Sequence, residues 1–264
     1  MKIKEADNMR KLLSITVLLI LAVSLANAQG GNSVKPDVEA AKLFNEGNSL
    51  LRSGNYKAAI EKYDEALKIQ QDPRFYYNKG LALKALRQNE EAIKVFKEAI
   101  NLKNDFAPAY NAIAGIYLAQ GDYDNAIENY TKALQYDKKL DVAMKGIVEA
   151  LLGKSNALIQ AGKFQEAVDL LTQATTYRQD YPKVYVMLAL VYNKLSQHDK
   201  AVESAKKAIE INPKATNADA YFELGIAYKK LGQIEEARKA FLEAKKDPRL
   251  ARNAQYELDL LKEQ

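Results

Sequence analysis

The side chains of this chain that could do chemistry are few in kind. Its 264 residues include one histidine, His198, and no cysteine, which excludes thiol catalysis, a disulfide framework and lipid attachment through cysteine. A histidine can act as general base or metal ligand, but a metal site needs further ligands at workable spacing. Neither a second histidine nor a cysteine supplies one. His198 also stands two residues after Ser196, as Tyr56, Tyr123 and Phe164 stand two after Gly54, Gly121 and Gly162. That slot belongs to a ring packed over a turn. Carboxylates are plentiful, yet residues such as Glu61, Asp64 and Glu65 fall on the polar face of a helical pattern. No Gly-rich phosphate loop or nucleophile motif occurs. The chain is therefore expected to be no enzyme, to bind no metal and to carry no cofactor. Its chemistry is that of binding.

The elements that would present a binding surface follow from a spaced set of small residues. Ala59, Ala92, Ala126, Ala167, Ala201 and Ala237 are each followed seven residues later by alanine: Ala66, Ala99, Ala133, Ala174, Ala208 and Ala244. Each follows, by twelve residues, a small residue: Gly47, Gly80, Ala114, Ser155, Ala189 and Gly225. Successive units are 33, 34, 41, 34 and 36 residues apart, a period that marks a stacked helical repeat. Alanines seven apart share one helix face, and the small residue twelve back lies on a preceding helix. Four after the first alanine comes a bulky filler, Tyr63, Phe96, Tyr130, Leu171 and Phe241; only the fifth unit breaks this, with Ala205. On the first helix, large residues stand four before the small one (Leu43, Tyr76, Tyr110, Leu151, Tyr185, Tyr221) and three after it (Leu50, Leu83, Tyr117, Leu158, Tyr192, Tyr228). Each unit is thus a helical hairpin.

Gly54, Gly121, Gly162 and Gly232 lie seven beyond the small residue, where a helix end commonly turns left-handed. Arg87 and Ser196 stand there in the second and fifth units, so those two turns are expected to close differently. Pro73, Pro108, Pro182, Pro213 and Pro248 fall between units, where they stop one helix and help to start the next. The chain from about residue 38 onward reads as helices throughout.

These residues resemble the tetratricopeptide repeat. The segment YFELGIAYKKLGQIEEARKAFLEAKKDP, from Tyr221, matches the family pattern nearly throughout, and GNYKAAIEKYDEAL and GDYDNAIENYTKAL match its second half. The resemblance covers roughly residues 38–250. It implies an all-α, right-handed superhelix (an α-solenoid) whose first helices line a concave groove for an extended or helical peptide. Carried over by spacing, three before and one after the small residue, the groove side chains are Phe44 and Asn48, Tyr77 and Leu81, Asn111 and Gly115, Leu152 and Asn156, Val186 and Leu190, and Phe222 and Ile226. An apolar exposed surface of this kind marks a binding site; mutual burial of the same side chains is the other reading. One family mode, a clamp on a C-terminal carboxylate, has asparagine counterparts in Asn48 and Asn78. Its cations are missing, since Phe44, Pro108 and Ala112 occupy their places. What remains suits a ligand with apolar anchors, its backbone held by Asn48 and Asn78.

Residues 12–26, LLSITVLLILAVSLA, follow Arg10 and Lys11 and precede Ala26-Asn27-Ala28. A basic region, an apolar core and a small-x-small site in this order read as a secretory signal, residues 1–28, cleaved before Gln29. The run is shorter than the ~20 residues that normally span a bilayer, so membrane contact would arise only through an uncleaved signal. Met9 is an alternative start. The formal charge is +5, and residues 1–28 carry four of the basic and two of the acidic residues, leaving +3. Opposite charges interleave, as in Glu90 and Lys94, Glu203 and Lys207, and Glu235 and Lys239. That suits solvated helix faces rather than the basic stripe of a nucleic-acid site.

The resulting organisation is a signal (1–28), a flexible lead-in (29–37) and one repeat domain (38–264). Its units are 40–72, 73–106, 107–140, 148–181, 182–215 and 218–249, followed by a capping helix at 250–263 whose stripe is Leu250, Ala254, Leu258 and Leu261. The long step inserts residues 141–147. Seven residues add about 10 Å of helix with little rotation, so the insertion reads as a projecting ledge where Gly146 and Gly153 admit another backbone, or as a tolerated addition without a role. The expected function is that of a periplasmic, or otherwise secreted or envelope-associated, adaptor that binds a protein or peptide partner. A constitutive structural subunit of an envelope complex is the alternative.

Overall fold

The computed structural model describes residues 35–262, which divide into two compact units, one ending at Gln71 and the other beginning at Asp72. The expected export signal, the cleavage site and most of the lead-in lie outside the described residues. Thirteen helices and no strand occur among the described residues, and no helix there is long and apolar enough to cross a membrane.

The first unit is a single hairpin, α1 (Pro36–Arg52) and α2 (Tyr56–Ile69). The second unit holds five hairpins and a last helix. Its helices are α3 (Pro73–Ala85) and α4 (Asn89–Leu102), α5 (Ala107–Gln120) and α6 (Tyr123–Tyr136), α7 (Asp141–Gln160) and α8 (Phe164–Tyr177), α9 (Pro182–Lys194) and α10 (His198–Ile211), α11 (Ala218–Lys230) and α12 (Ile234–Ala244), and α13 (Ala251–Leu260). Within it successive hairpins pack on one another, so it is an all-α solenoid. Its largest core runs from Ala107 to Val191 across the third, fourth and fifth repeats.

Local chemistry sets the helix ends. Pro73 and Pro182 occupy the first helical position, where a missing N–H costs nothing. Asp72 caps α3 by accepting from the Arg74 amide at 2.8 Å, and the Arg74 guanidinium holds the same carboxyl below its ordinary range. The four turn glycines are left-handed, with φ from 74° to 80°. Arg87 and Ser196 adopt the same conformation, at φ 61° and 58°. The expectation that their turns close differently is thus overturned: the packed hairpin imposes the left-handed bend, at some conformational cost, on residues that disfavour it.

The small residues of the first helices answer the fillers of the second. A Cβ added at Gly47, Gly80 or Gly225 would lie 2.5 to 2.6 Å from a ring carbon of Tyr63, Phe96 or Phe241, so glycine stands where the filler of its own hairpin is an inserted ring. Where the filler is Leu171 or Ala205, serine (Ser155) and alanine (Ala189) are tolerated. The third hairpin differs. There the Tyr130 ring occupies the space beside Gly146 on the following helix, and the Tyr123 ring occupies the space beside Gly153.

That observation corrects the reading of residues 141–147 as a ledge. They form the first turns of α7, a helix of 20 residues where α3, α5, α9 and α11 have 13 or 14. Ala143, Gly146 and Ile147 are buried, and Gly146 and Gly153 accept tyrosine rings rather than another backbone. Arg178 ties the start of α7 to the loop after α8, donating to Asp141 at 2.9 Å and to Asp180 at 2.9 Å.

The last helix closes the stack as expected. Ala254, Leu258 and Leu261 are buried against Ala237, Phe241 and Ala244, and Lys229 pairs with Glu257 at 2.8 Å across the same junction, both side chains largely covered. Surface ion pairs re-sort among neighbours: Lys207 meets Glu210 and Arg238 meets Glu235.

Candidate functional site

His198 begins α10, and its ring Nδ1 lies 3.3 Å from Asn193 Oδ1 at the end of α9. It packs over its hairpin in the slot that Tyr56, Tyr123 and Phe164 fill as first residues of α2, α6 and α8. Among the described residues no group of three or more His, Asp or Glu side chains could hold a metal ion.

In the first unit the two expected groove residues, Phe44 and Asn48, turn toward their own hairpin. The Phe44 ring lies 5.9 Å from that of Tyr63, and Asn48 Oδ1 accepts from the Tyr63 hydroxyl at 2.9 Å. Burial pushes that hydroxyl up to about 12, so it remains a donor. Asn48 keeps its amide hydrogens to offer.

The second unit separates the remaining residues into three groups. Tyr77 is half-buried between Phe96 at 5.7 Å and Phe106 at 5.6 Å. Asn78 and Leu81 lie half-buried beside it on α3, and Asn111 on α5 buries its Oδ1 without a hydrogen-bond partner. Leu152, Asn156, Val186, Leu190 and Phe222 line two cavities. Ile226 goes elsewhere: it packs into the cluster beneath α13, so that helix covers a residue expected in the groove.

The first cavity, about 480 Å³, lies between α7 and α9, with Leu118 and Tyr123 on its third-repeat side. The second, about 540 Å³, lies between α9 and α11 and is closed by Leu250. Lys183 and Met187 of α9 line both, so the cavities flank one helix. Leu152 is buried in the floor of the first, and Asn156 is exposed at its edge.

Two lining positions on each helix were not among the expected residues, and they follow a rule. Glu149, Leu152, Gly153 and Asn156 all line the first cavity, and Lys183, Val186, Met187 and Leu190 all line the second. On α11 the corresponding Asp219, Phe222 and Glu223 line it too. The set is i, i+3, i+4, i+7, one stripe of a helix. Sequence spacing carried only its second and fourth members, and so missed the charged ones. Extending the same stripe by one turn and one residue would have found them.

The charges are distributed rather than clustered. The Tyr181 hydroxyl donates to Glu149 Oε1 at 3.2 Å, and Arg249 pairs with Asp219 at 3.2 Å. Asn193 Nδ2 donates to both the backbone oxygen and Oε2 of Glu223, each at 2.9 Å. Burial pushes the Glu223 carboxyl upward, opposed by that hydrogen bond and by the field of Lys194.

A stack of hairpins that exposes one mixed polar cavity and one mainly apolar cavity on successive helices defines a class: a helical interaction module. Family models described as tetratricopeptide repeat match residues 44–111, 105–180 and 180–246. The chain belongs to the tetratricopeptide-repeat family, whose members generally mediate protein–protein contacts and bind peptides and are typically not catalytic. It is 28% identical over 193 residues to TPR repeat-containing protein MJ1428 of Methanocaldococcus jannaschii, covering 69% of this chain and 32% of that protein. It is 30% identical over 110 residues to small glutamine-rich tetratricopeptide repeat-containing protein 2 of Mycosarcoma maydis, covering 41% and 31%. The chain thus spans about a third of these relatives. Among solved structures it is similar to YrrB, described as a TPR protein with an unusual peptide-binding site, with a TM-score of 0.53 at 19% identity over 74% of this chain and 97% of that one. MamA gives 0.50 at 26% identity over 70% and 96%. At its low identity, YrrB speaks for the fold alone.

Proposed function

We propose that this chain is an exported, non-enzymatic adaptor of the cell envelope that holds a peptide or helix of a partner protein across α7, α9 and α11. The observation that carries the reading is the pair of adjoining cavities, which share Lys183 and Met187 and are lined by equivalent stripes of successive helices. Apolar parts of the ligand's side chains fill the second, and the more polar first, with Glu149, Asn156 and Lys183, meets its backbone and polar groups. A fully buried anchor contributes about 1.5 to 3 kcal/mol, whereas association costs at least about 4 and micromolar binding requires about 8 net. About four to eight anchors must therefore engage together, so the two cavities supply part of the binding and the neighbouring repeats must supply the rest. Export is supported by the basic, apolar and small-residue order of residues 10–28.

The test is capture of immobilised, randomised nonapeptides by purified residues 29–264. Sequence-dependent capture at about 100 μM or below supports the reading, and its absence overturns it. For the compartment, residues 1–28 fused to a reporter should export it from a bacterial host in cleaved form; retention inside the cell would remove the envelope from the proposal.

A further inference from the structure

The second cavity carries a carboxylate that no cation of the described residues meets within salt-bridge distance, Lys194 acting on it only through its field. Glu223 lines it among Val186, Leu190, Phe222 and Leu250. Its neighbour Asp219, one turn earlier on α11, is met by Arg249 at 3.2 Å. Glu223 has no such cation. Its Oε2 accepts from the neutral Asn193 amide at 2.9 Å, and no lysine, arginine or histidine among the described residues lies within salt-bridge distance of it. Lys183 lines the same cavity without pairing with it. A carboxylate half-buried among alkyl and aryl groups is disfavoured unless a cation meets it, and burial accordingly raises its proton affinity. The arrangement suits one kind of side chain. Lysine and arginine lay a run of methylenes along apolar surface and place a charged head at its end.

The geometry points to a specificity pocket for a basic side chain: a lysine or arginine of the partner peptide enters the second cavity, its stem along Val186, Leu190 and Phe222 and its head on Glu223. This inference rests on the peptide-binding reading and adds to it the chemistry of one anchor. The Asn193 amide holds Oε2, and Oε1, which takes no hydrogen bond from the described residues, is the oxygen presented to the ligand. Asn193 also faces His198, so one amide couples the turn of the α9–α10 hairpin to the carboxylate and fixes its rotamer.

The test uses N-acetylated, C-amidated nonapeptides, which have no terminal charge, in two matched arrays, one with every lysine and arginine kept and one with each replaced by norleucine. Residues 29–264 should prefer the basic member of a pair by about tenfold or more, the range of a charge-assisted hydrogen bond. Glu223→Gln, which keeps shape and both Asn193 contacts possible, should bring the two members of a pair to equal capture. Unchanged thermal unfolding or a gain in it shows that the variant is folded. Equal capture of both members by the parent chain, or a preference that survives in Glu223→Gln, overturns the inference and leaves the groove intact. Capture of neither array removes the groove reading and this one with it.

Discussion

The second and third repeats and the fourth to sixth present the same helix stripe, yet they build different surfaces. On α3 and α5 the stripe is Arg74, Tyr77, Asn78 and Leu81, then Pro108, Asn111, Ala112 and Gly115. Tyr77 lies on Phe96, the ring filler of its own hairpin, and against Phe106, so the largest side chain of that stripe is spent on packing. On α7 and α9 the fillers beneath are Leu171 and Ala205, and the stripe residues above them line cavities. The sixth repeat is intermediate: Phe222 rests on Phe241 at 5.7 Å and still forms one wall of the second cavity. Where the filler ring inserts against its own hairpin, as in the first, second and sixth, the facing small residue is glycine; in the third the Tyr130 ring lies beside Gly146 instead, and alanine stands at 114.

The sharpest way to break this comparison is to strip anchors from each region. Val186→Ala with Leu190→Ala removes two cavity walls and should weaken a captured peptide by more than about a hundredfold, from about 3 to 6 kcal/mol of lost burial. Tyr77→Ala with Leu81→Ala should weaken it by less than about tenfold, read by fluorescence anisotropy with the same peptide. Equal losses would mean that both regions bind alike.

A smaller effect tests whether the added turns of α7 belong to the core that supports the first cavity. Ile147 is fully buried, so Ile147→Ala should cost about 2 to 5 kcal/mol in urea unfolding, against under about 0.5 for an exposed ledge residue.

Exchange of the small residues sharpens the role of the filler. Gly80→Ala drives a methyl into the Phe96 ring and should cost about 1 to 3 kcal/mol. Ala189→Gly, opposite Ala205, should cost only about 1. Combining Gly80→Ala with Phe96→Leu should recover part of the first loss, and strictly additive costs in that double variant would refute the pairing.

The smallest effect is electrostatic. Because burial raises the Glu223 carboxyl, the folded chain binds that proton more tightly than the unfolded chain does. Stability contributed by the site is greatest at low pH and falls as pH rises from the ordinary carboxylate range through the raised value. Glu223→Gln removes this loss, so it should melt slightly higher than the parent at neutral pH, and the gain should vanish below about pH 4. An equal shift at both pH values would assign the change to packing instead.

Much of this was legible in the chain because helix periodicity and side-chain volume are local. The hairpin register, the closing stripe of Ala254, Leu258 and Leu261, and the place of His198 over a turn followed from spacing. The cavity linings were half legible: spacing named Leu152, Asn156, Val186, Leu190 and Phe222, but Glu149, Lys183, Met187 and Glu223 complete the same stripe and only the packed helices bring them in. Ile226 could not be assigned from its own repeat alone, since the cluster it packs against also takes Ala254, Leu258 and Leu261 from the last helix. Gly146 and Gly153 showed that something approaches closely, without showing that it is a tyrosine ring from the preceding hairpin.

The sequence by itself determined an all-helical repeat of family-typical hairpins, because a residue's type and its place in the period suffice for that. Tertiary structure decided where rings go, which stripe residues sink and which charges stay unanswered. Those outcomes depend on volumes and partners contributed by a neighbouring helix, as when Arg87 and Ser196 are held in a left-handed bend that neither would choose alone.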